Sequence, residues 1–129
     1  MNHQQTDRSK ANILITDDTP NNLRLLAGIL TEQGYKVRPA SNGSRALATA
    51  QVAPPDLILL DIILPKMDGY KILSIIKENP DLSDIPVVML PSKDGILNKV
   101  KGKVAGSAAY LTKPFDPAQL LVTVEKYLN

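Results

Sequence analysis

Cysteine and tryptophan are absent from the 129 residues, and histidine and phenylalanine occur once each. Without cysteine there is no disulfide framework, no thiol nucleophile and no thiolate zinc site. The single His3, in a polar opening segment, is a poor candidate for a catalytic base, which sets aside histidine-dependent triads. Aromatic residues make up only 4%, so aliphatic side chains must build the core. No apolar run approaches the ~20 residues a membrane helix needs. Met1 to Lys10 is too polar for a secretory signal, so the expectation is a cytoplasmic protein without a membrane partner. A strong charge of one sign is missing as well: 15 basic against 13 acidic side chains leave a formal charge of +2, too mild to argue for nucleic acid. What is present, 43% hydrophobic and 22% charged residues, is the composition of one folded domain of ordinary size.

Apolar runs of strand length lie at Ile13 to Thr16, Leu57 to Leu60 and Ile85 to Leu90. Their continuity suits strands buried on both faces. Tyr35 to Pro39 and Ala108 to Thr112 are shorter or more mixed and suit sheet edges. Between these runs the period turns helical. Leu23, Leu26, Ala27 and Leu30 repeat at i, i+3, i+4 and i+7, with Thr19 at the N-cap, Pro20 first in the helix and Gly34 beyond its end. Ala46, Leu47 and Ala50 mark a second helix and Ile72, Leu73 and Ile76 a third. Ile96, Val100 and Val104 mark a fourth, weakened by Gly102. Asp116 caps and Pro117 starts a fifth, lined by Leu120, Leu121, Val124 and Leu128.

Strict alternation of strand and helix predicts a parallel sheet covered on both faces, with right-handed crossovers. With the mixed strands at the edges the order is 2-1-3-4-5, a flavodoxin-like, doubly wound α/β sheet of five strands and five helices. Residues 1–10 read as a flexible tail and 11–129 as the domain.

In such a sheet ligands bind beyond the carboxyl ends of the strands at the switch point, between the first and third strands. Asp17 and Asp18 follow the first strand, Asp61 the third and Lys113 the fifth. Three converging carboxylates repel one another, and a hard divalent cation relieves that repulsion. Magnesium favours all-oxygen sites that retain water and often accompanies phosphate. Taken singly, Asp17 and Asp18 would be helix caps, Asp61 a turn residue, Lys113 a solvated strand-end lysine and Pro114 a break before the last helix. Their joint placement points to a site. Asp17-Asp18-Thr19-Pro20 lacks the glycines and backbone donors of a nucleotide cradle.

The chain resembles the receiver domain of two-component response regulators over residues 11 to 129. The motifs that carry the resemblance are Asp17-Asp18, the block Asp61-Ile62-Ile63-Leu64-Pro65-Lys66-Met67-Asp68-Gly69, and Tyr110-Leu111-Thr112-Lys113-Pro114-Phe115. The resemblance implies that Asp61 accepts a phosphoryl group from a histidine kinase or phosphotransfer protein. It implies too that Asp17, Asp18, Asp61 and the backbone carbonyl of Ile63 hold magnesium, and that Lys113 pairs with phosphoryl oxygens. A cis peptide between Lys113 and Pro114 is expected. A downstream protein would bind the face formed by the helix over Ile96 to Val104, the strand at 108–112 and the terminal helix. The region from Ser92 to Ser107, followed by Tyr110 to Phe115, is similar to single-domain receivers of pilus-linked, chemotaxis-like systems, and Thr19 to Leu26 to receivers fused to hybrid kinases.

One position departs from the family pattern. After the fourth strand the family places a serine or threonine that contacts the phosphoryl group; here stands Pro91, with neither hydroxyl nor N–H, followed by Ser92. Tyr110 occupies the family's aromatic switch position and equally suits an edge-strand tyrosine covering the sheet. Lys93, Lys99, Lys101 and Lys103 read as a solvated helix face, since no helix-turn-helix and no aromatic stacking set accompany them, and no nucleic-acid partner is expected. The leading function is a phosphoacceptor signalling module, not an enzyme beyond its own phosphotransfer and dephosphorylation. A receiver-like interaction module that no longer responds to phosphorylation is the alternative. A metal-dependent phosphohydrolase is weaker, because Ile63 stands where a second acid would be needed.

Overall fold

A continuous apolar strand is stable only when both faces are covered, and Leu57–Asp61 is buried at every residue. The computed structural model describes residues 11–64, 66–91 and 106–128. Its strands are β1 (Asn12–Thr16), β2 (Lys36–Ala40), β3 (Leu57–Asp61), β4 (Val87–Leu90) and β5 (Ala109–Tyr110). They form one parallel sheet in the order β2-β1-β3-β4-β5, the predicted topology. The helices are α1 (Pro20–Glu32), α2 (Gly43–Val52), α3 (Gly69–Glu78) and α4 (Pro117–Leu128). Five helices were expected and four stand among the described residues; the one expected over Ile96 to Val104, with Gly102 and the nearby lysines, lies outside them, as does the tail at 1–10.

Strand alternation divides the core. Ile13, Ile15, Leu57, Leu59, Val88 and Leu90 face Leu26 and Leu30 of α1 and Leu120 and Val124 of α4. Leu14, Ile58, Leu60, Val87 and Met89 face Ala46 and Ala50 of α2 and Ile72, Leu73 and Ile76 of α3. The period of two along the strands and 3.6 along the helices produces this division. Pro39 sits within β2, where an edge position spares the ladder its missing N–H.

Helix starts and stops follow local chemistry. Asn42 caps α2 by accepting from the Arg45 N–H at 2.9 Å, and Asp68 caps α3 from the Lys71 N–H at 2.8 Å. Asp116 accepts from the Ala118 N–H at 3.0 Å at the start of α4. Thr19 holds the N-cap position of α1 without a side-chain cap bond; its hydroxyl donates to Asp18 Oδ1 at 3.4 Å. Gly34 ends α1 at φ 94, a conformation glycine adopts without penalty.

Several strand limits differ from the pattern reading, β1 and β3 by one residue each. Tyr35 precedes β2 because its N–H bonds Leu30 O at 3.3 Å. β4 begins at Val87 because the Ile85 N–H is committed to Leu82 O at 3.0 Å and Pro86 has none to give. β5 has only two residues, although Leu111 and Lys113 still donate to Met89 O and Pro91 O at 2.9 and 2.8 Å.

Candidate functional site

β1 and β3 are adjacent and parallel, so the residues just past their ends emerge side by side. Asp17 is fully buried, Asp61 is 3% exposed, and Asp18 is exposed. One carboxylate oxygen from each of the three lies within 4.8 Å of the others. The Lys113 ammonium enters from beyond β5, 3.0 Å from Asp61 Oδ1 and 3.1 Å from Asp17 Oδ2.

The two buried carboxylates are held differently. Asp17 Oδ1 accepts from the Thr19 N–H at 2.9 Å, and Oδ2 from Asn22 Nδ2 at 3.3 Å as well as from Lys113. Asp61 Oδ1 takes Lys113 and the Ile63 N–H at 3.4 Å. Its Oδ2 accepts no hydrogen bond from any described residue. Burial pushes the Asp61 carboxyl above its ordinary value; Lys113 pulls it back and the Asp17 charge pushes it further up. Burial lowers the Lys113 pKa, but the Asp61 and Asp17 carboxylates outweigh it and the net shift is upward. Lys113 therefore stays charged as the local counter-ion.

Negative charge still exceeds positive at this end of the sheet. Lys113 offsets Asp17 and Asp61, while Asp18 has no cation of its own among the described residues. Three hard oxygen donors converging with a net charge deficit fit magnesium. A cleft of about 580 Å³ opens beside Asp18, lined by Ser41, Asn42, Gly43, Ser44, Lys66 and Met67.

The loop after β3 is clamped onto the strand end. The Gly69 N–H donates to Ile62 O at 2.7 Å. A Cβ on Gly69 would press on the Asp61 carbonyl oxygen and lie 2.8 Å from Ile62 Cα, so only glycine fits. Lys66 adopts φ 66, a left-handed conformation uncommon for a residue that carries a Cβ. Ile63 is 69% exposed.

Around Lys113 the peptide to Pro114 is cis. Pro91 is buried beyond β4, and its carbonyl fixes the Lys113 backbone N–H at 2.8 Å. Ser92 lies outside the described residues. Tyr110 is half-buried and packs against the core on the α2 and α3 side of the sheet. Asp17, Asp18, Asp61 and Lys113 thus form one cluster, Pro91 and Pro114 flank its lysine, and Tyr110 stands apart on the sheet. Two supporting residues escaped pattern reading. Asn22, on the first turn of α1 five residues after Asp17, had a usable signal in that spacing, and Asn42 had an N-cap signal.

The family model of the response regulator receiver domain matches residues 13–125. Protein PilG of Pseudomonas aeruginosa is 38% identical over 125 residues, covering 97% of this chain and 91% of PilG. Protein PilH of the same organism is 37% identical over 118 residues, covering 92% of this chain and 98% of PilH. Response regulator PleD of Caulobacter vibrioides is 40% identical over 114 residues, 88% of this chain but only 25% of PleD. Chemotaxis response regulator CheY4 of Vibrio cholerae superposes with a TM-score of 0.85 at 32% identity, over 91% of this chain and 98% of that one. The receiver domain of NtrX from Brucella abortus gives 0.85 at 33% identity, over 90% and 97%.

Proposed function

The chain belongs to the response regulator receiver domain family, phosphoryl-accepting modules of two-component signal transduction, and on that premise we propose that Asp61 is its phosphoacceptor. The observation that carries the assignment is the unequal use of the Asp61 oxygens. Lys113 and the Ile63 N–H hold Oδ1, while Oδ2 accepts from no described residue and keeps its lone pairs for attack. Oδ2 attacks the phosphorus of a phosphohistidine on a kinase or phosphotransfer protein. The P–N bond breaks, and the imidazole leaves with its electron pair and takes up a proton. Magnesium, held by Asp17, Asp18, Asp61 and the Ile63 carbonyl, would neutralise the phosphoryl oxygens during transfer.

Asp17 needs little rearrangement, because Thr19 and Asn22 already fix both its oxygens. Lys113 exchanges its carboxylate contacts for a phosphoryl oxygen, and the Pro91 carbonyl keeps its backbone in place while it does so. The cleft beside Asp18 leaves room for the donor. An intact acidic cluster with its lysine favours this reading over a phosphorylation-independent interaction module. The domain spans 11–129, preceded by a tail, and works in the cytoplasm. Its output partner is a protein that reads the surface around β5 and α4, and its chemistry is confined to its own phosphorylation and dephosphorylation. Among the described residues no helix is long and apolar enough to cross a membrane.

The test is phosphorylation by acetyl phosphate with magnesium, read by intact mass. The parent gains one phosphoryl group and Asp61→Asn gains none. Equal labelling of the two proteins would refute the assignment.

A further inference from the structure

Among the described residues that line the cleft beside Asp18, Lys66 carries the only positive charge, and the site chemistry leaves that charge without a role. Lys66 is exposed and makes no ion pair or hydrogen bond with any described residue, whereas Lys113 is committed to Asp61 and Asp17. The backbone that carries Lys66 is held in place. Met67 packs over Gly43 at the start of α2, its Sδ 3.5 Å from where a Gly43 Cβ would stand, and the Gly69 N–H is bonded to Ile62 O at 2.7 Å. The cleft reaches the acidic cluster through Asp18, which lines it and has a carboxylate oxygen within 4.8 Å of those from Asp17 and Asp61. A divalent cation would bring the three carboxylates and Lys113 to neutrality, so the cluster itself exerts no net attraction on a donor with two negative charges. Lys66 faces the same cleft with its charge unspent.

We propose that Lys66 is a specificity-determining residue for the phosphodonor, drawing anionic donors into the cleft and favouring a dianionic donor over one with a single net charge. The attraction acts through water and is screened by salt. This selection rests on the phosphoacceptor reading of Asp61; the reach of the Lys66 charge into the site does not. The same ammonium repels magnesium at the acidic cluster. Removing it therefore has two effects of opposite sign, tighter magnesium binding and slower capture of the donor. A merely structural role would move both the same way, because loosening the loop after β3 would disturb Asp61 and weaken metal binding and phosphorylation together.

The experiment measures both effects on the full chain at low ionic strength. With saturating magnesium, Lys66→Met should take label from acetyl phosphate about threefold more slowly than the parent, the size of one charge acting through water. Phosphoramidate, which carries one net negative charge fewer at neutral pH, should lose less than about twofold on the same scale. Without donor, calorimetry should show magnesium binding about threefold tighter to Lys66→Met. Both shifts should shrink when salt is raised to about 0.5 M, where the screening length falls below 10 Å. Lys66→Gly loses the same charge while easing the left-handed backbone at φ 66, so it should give the same shifts and serves if Lys66→Met folds poorly. Lys66→Arg should keep the parental values. Lys36→Met removes an equal charge at the start of β2, the far end of the sheet, and should leave both readouts unchanged. Parental labelling or unchanged magnesium affinity in the charge-free variants, weakening of both together, or equal losses for the two donors would each overturn the proposal. If the parent took no label, the phosphoacceptor reading would fall and donor selection with it, while the magnesium arm would still report whether the Lys66 charge reaches the site.

Discussion

Replacing Lys113 by alanine should destabilise the metal-free protein and leave magnesium binding as tight as before or tighter. The ammonium lies 3.0 Å from Asp61 and 3.1 Å from Asp17, two carboxylates with side chains 4% and 0% exposed. Removing one partner of a buried ion pair costs about 3–5 kcal/mol, because the other charge is left uncompensated. Here the lysine side chain is 24% exposed and Asp17 keeps its bonds to Thr19 and Asn22. The loss therefore falls mainly on Asp61, whose remaining bond among the described residues is a long one to the Ile63 N–H, and the expected cost is about 2–3 kcal/mol. Proton uptake offers Asp61 an escape. Its pKa is already raised by burial, and without Lys113 it rises further. A carboxyl with a raised folded-state pKa stabilises the fold below its unfolded pKa, and that contribution is lost as pH rises through the folded value. The deficit of Lys113→Ala should accordingly be small in mild acid and full at neutral pH. Magnesium should then recover about 2.7 kcal/mol at 100 times its dissociation constant. Urea unfolding at pH 5 and pH 7.5, with and without magnesium, measures all of these quantities. A variant within 0.5 kcal/mol of the parent at neutral pH without metal, or a tenfold weaker magnesium affinity, would refute the electrostatic account.

Asp18→Asn should separate binding from stability: Asp18 is exposed and off the lysine, so urea stability should change by no more than about 0.5 kcal/mol while magnesium affinity, read by calorimetry, falls about tenfold or more. Gly69→Ala should cost about 3 kcal/mol or more in urea unfolding, since the added Cβ meets backbone of Asp61 and Ile62 that cannot yield; a cost below 1 kcal/mol would mean that the loop is looser than its geometry. Because the Tyr70 phenol titrates near 12 folded against about 10 unfolded, the unfolded chain gives up that proton first, and stability should fall as pH rises from 10 towards 12. Tyr70→Phe should flatten that alkaline slope in denaturation followed across the same range.

The topology and the acidic cluster were legible in the residue pattern. Leu57 to Leu60 read as a strand covered on both faces, the helical repeats between strands pointed to crossovers, and a sheet so wound carries its ligand groups past the strand ends, where Asp17, Asp18 and Asp61 stand. These are local consequences of period and of which residue follows which strand. Tertiary structure decided the remainder, because it depends on pairs distant in the chain. Which carboxylate oxygen Lys113 holds, and which accepts from none of the described residues, is set by the approach of β5 to β3 across β4. That Gly69 must be glycine follows from the Asp61 carbonyl oxygen standing where a Cβ would go, and that the Thr19 hydroxyl donates to Asp18 while making no cap bond is seen only in the folded chain. The strand limits at Tyr35 and Ile85 were set by single N–H groups already committed to earlier carbonyls. Tyr70 and Tyr110 lie far apart in the chain and neither announces the other in sequence; only the fold packs both against one buried cluster, since side-chain proximity across a sheet is a property of the folded chain and not of any window along it.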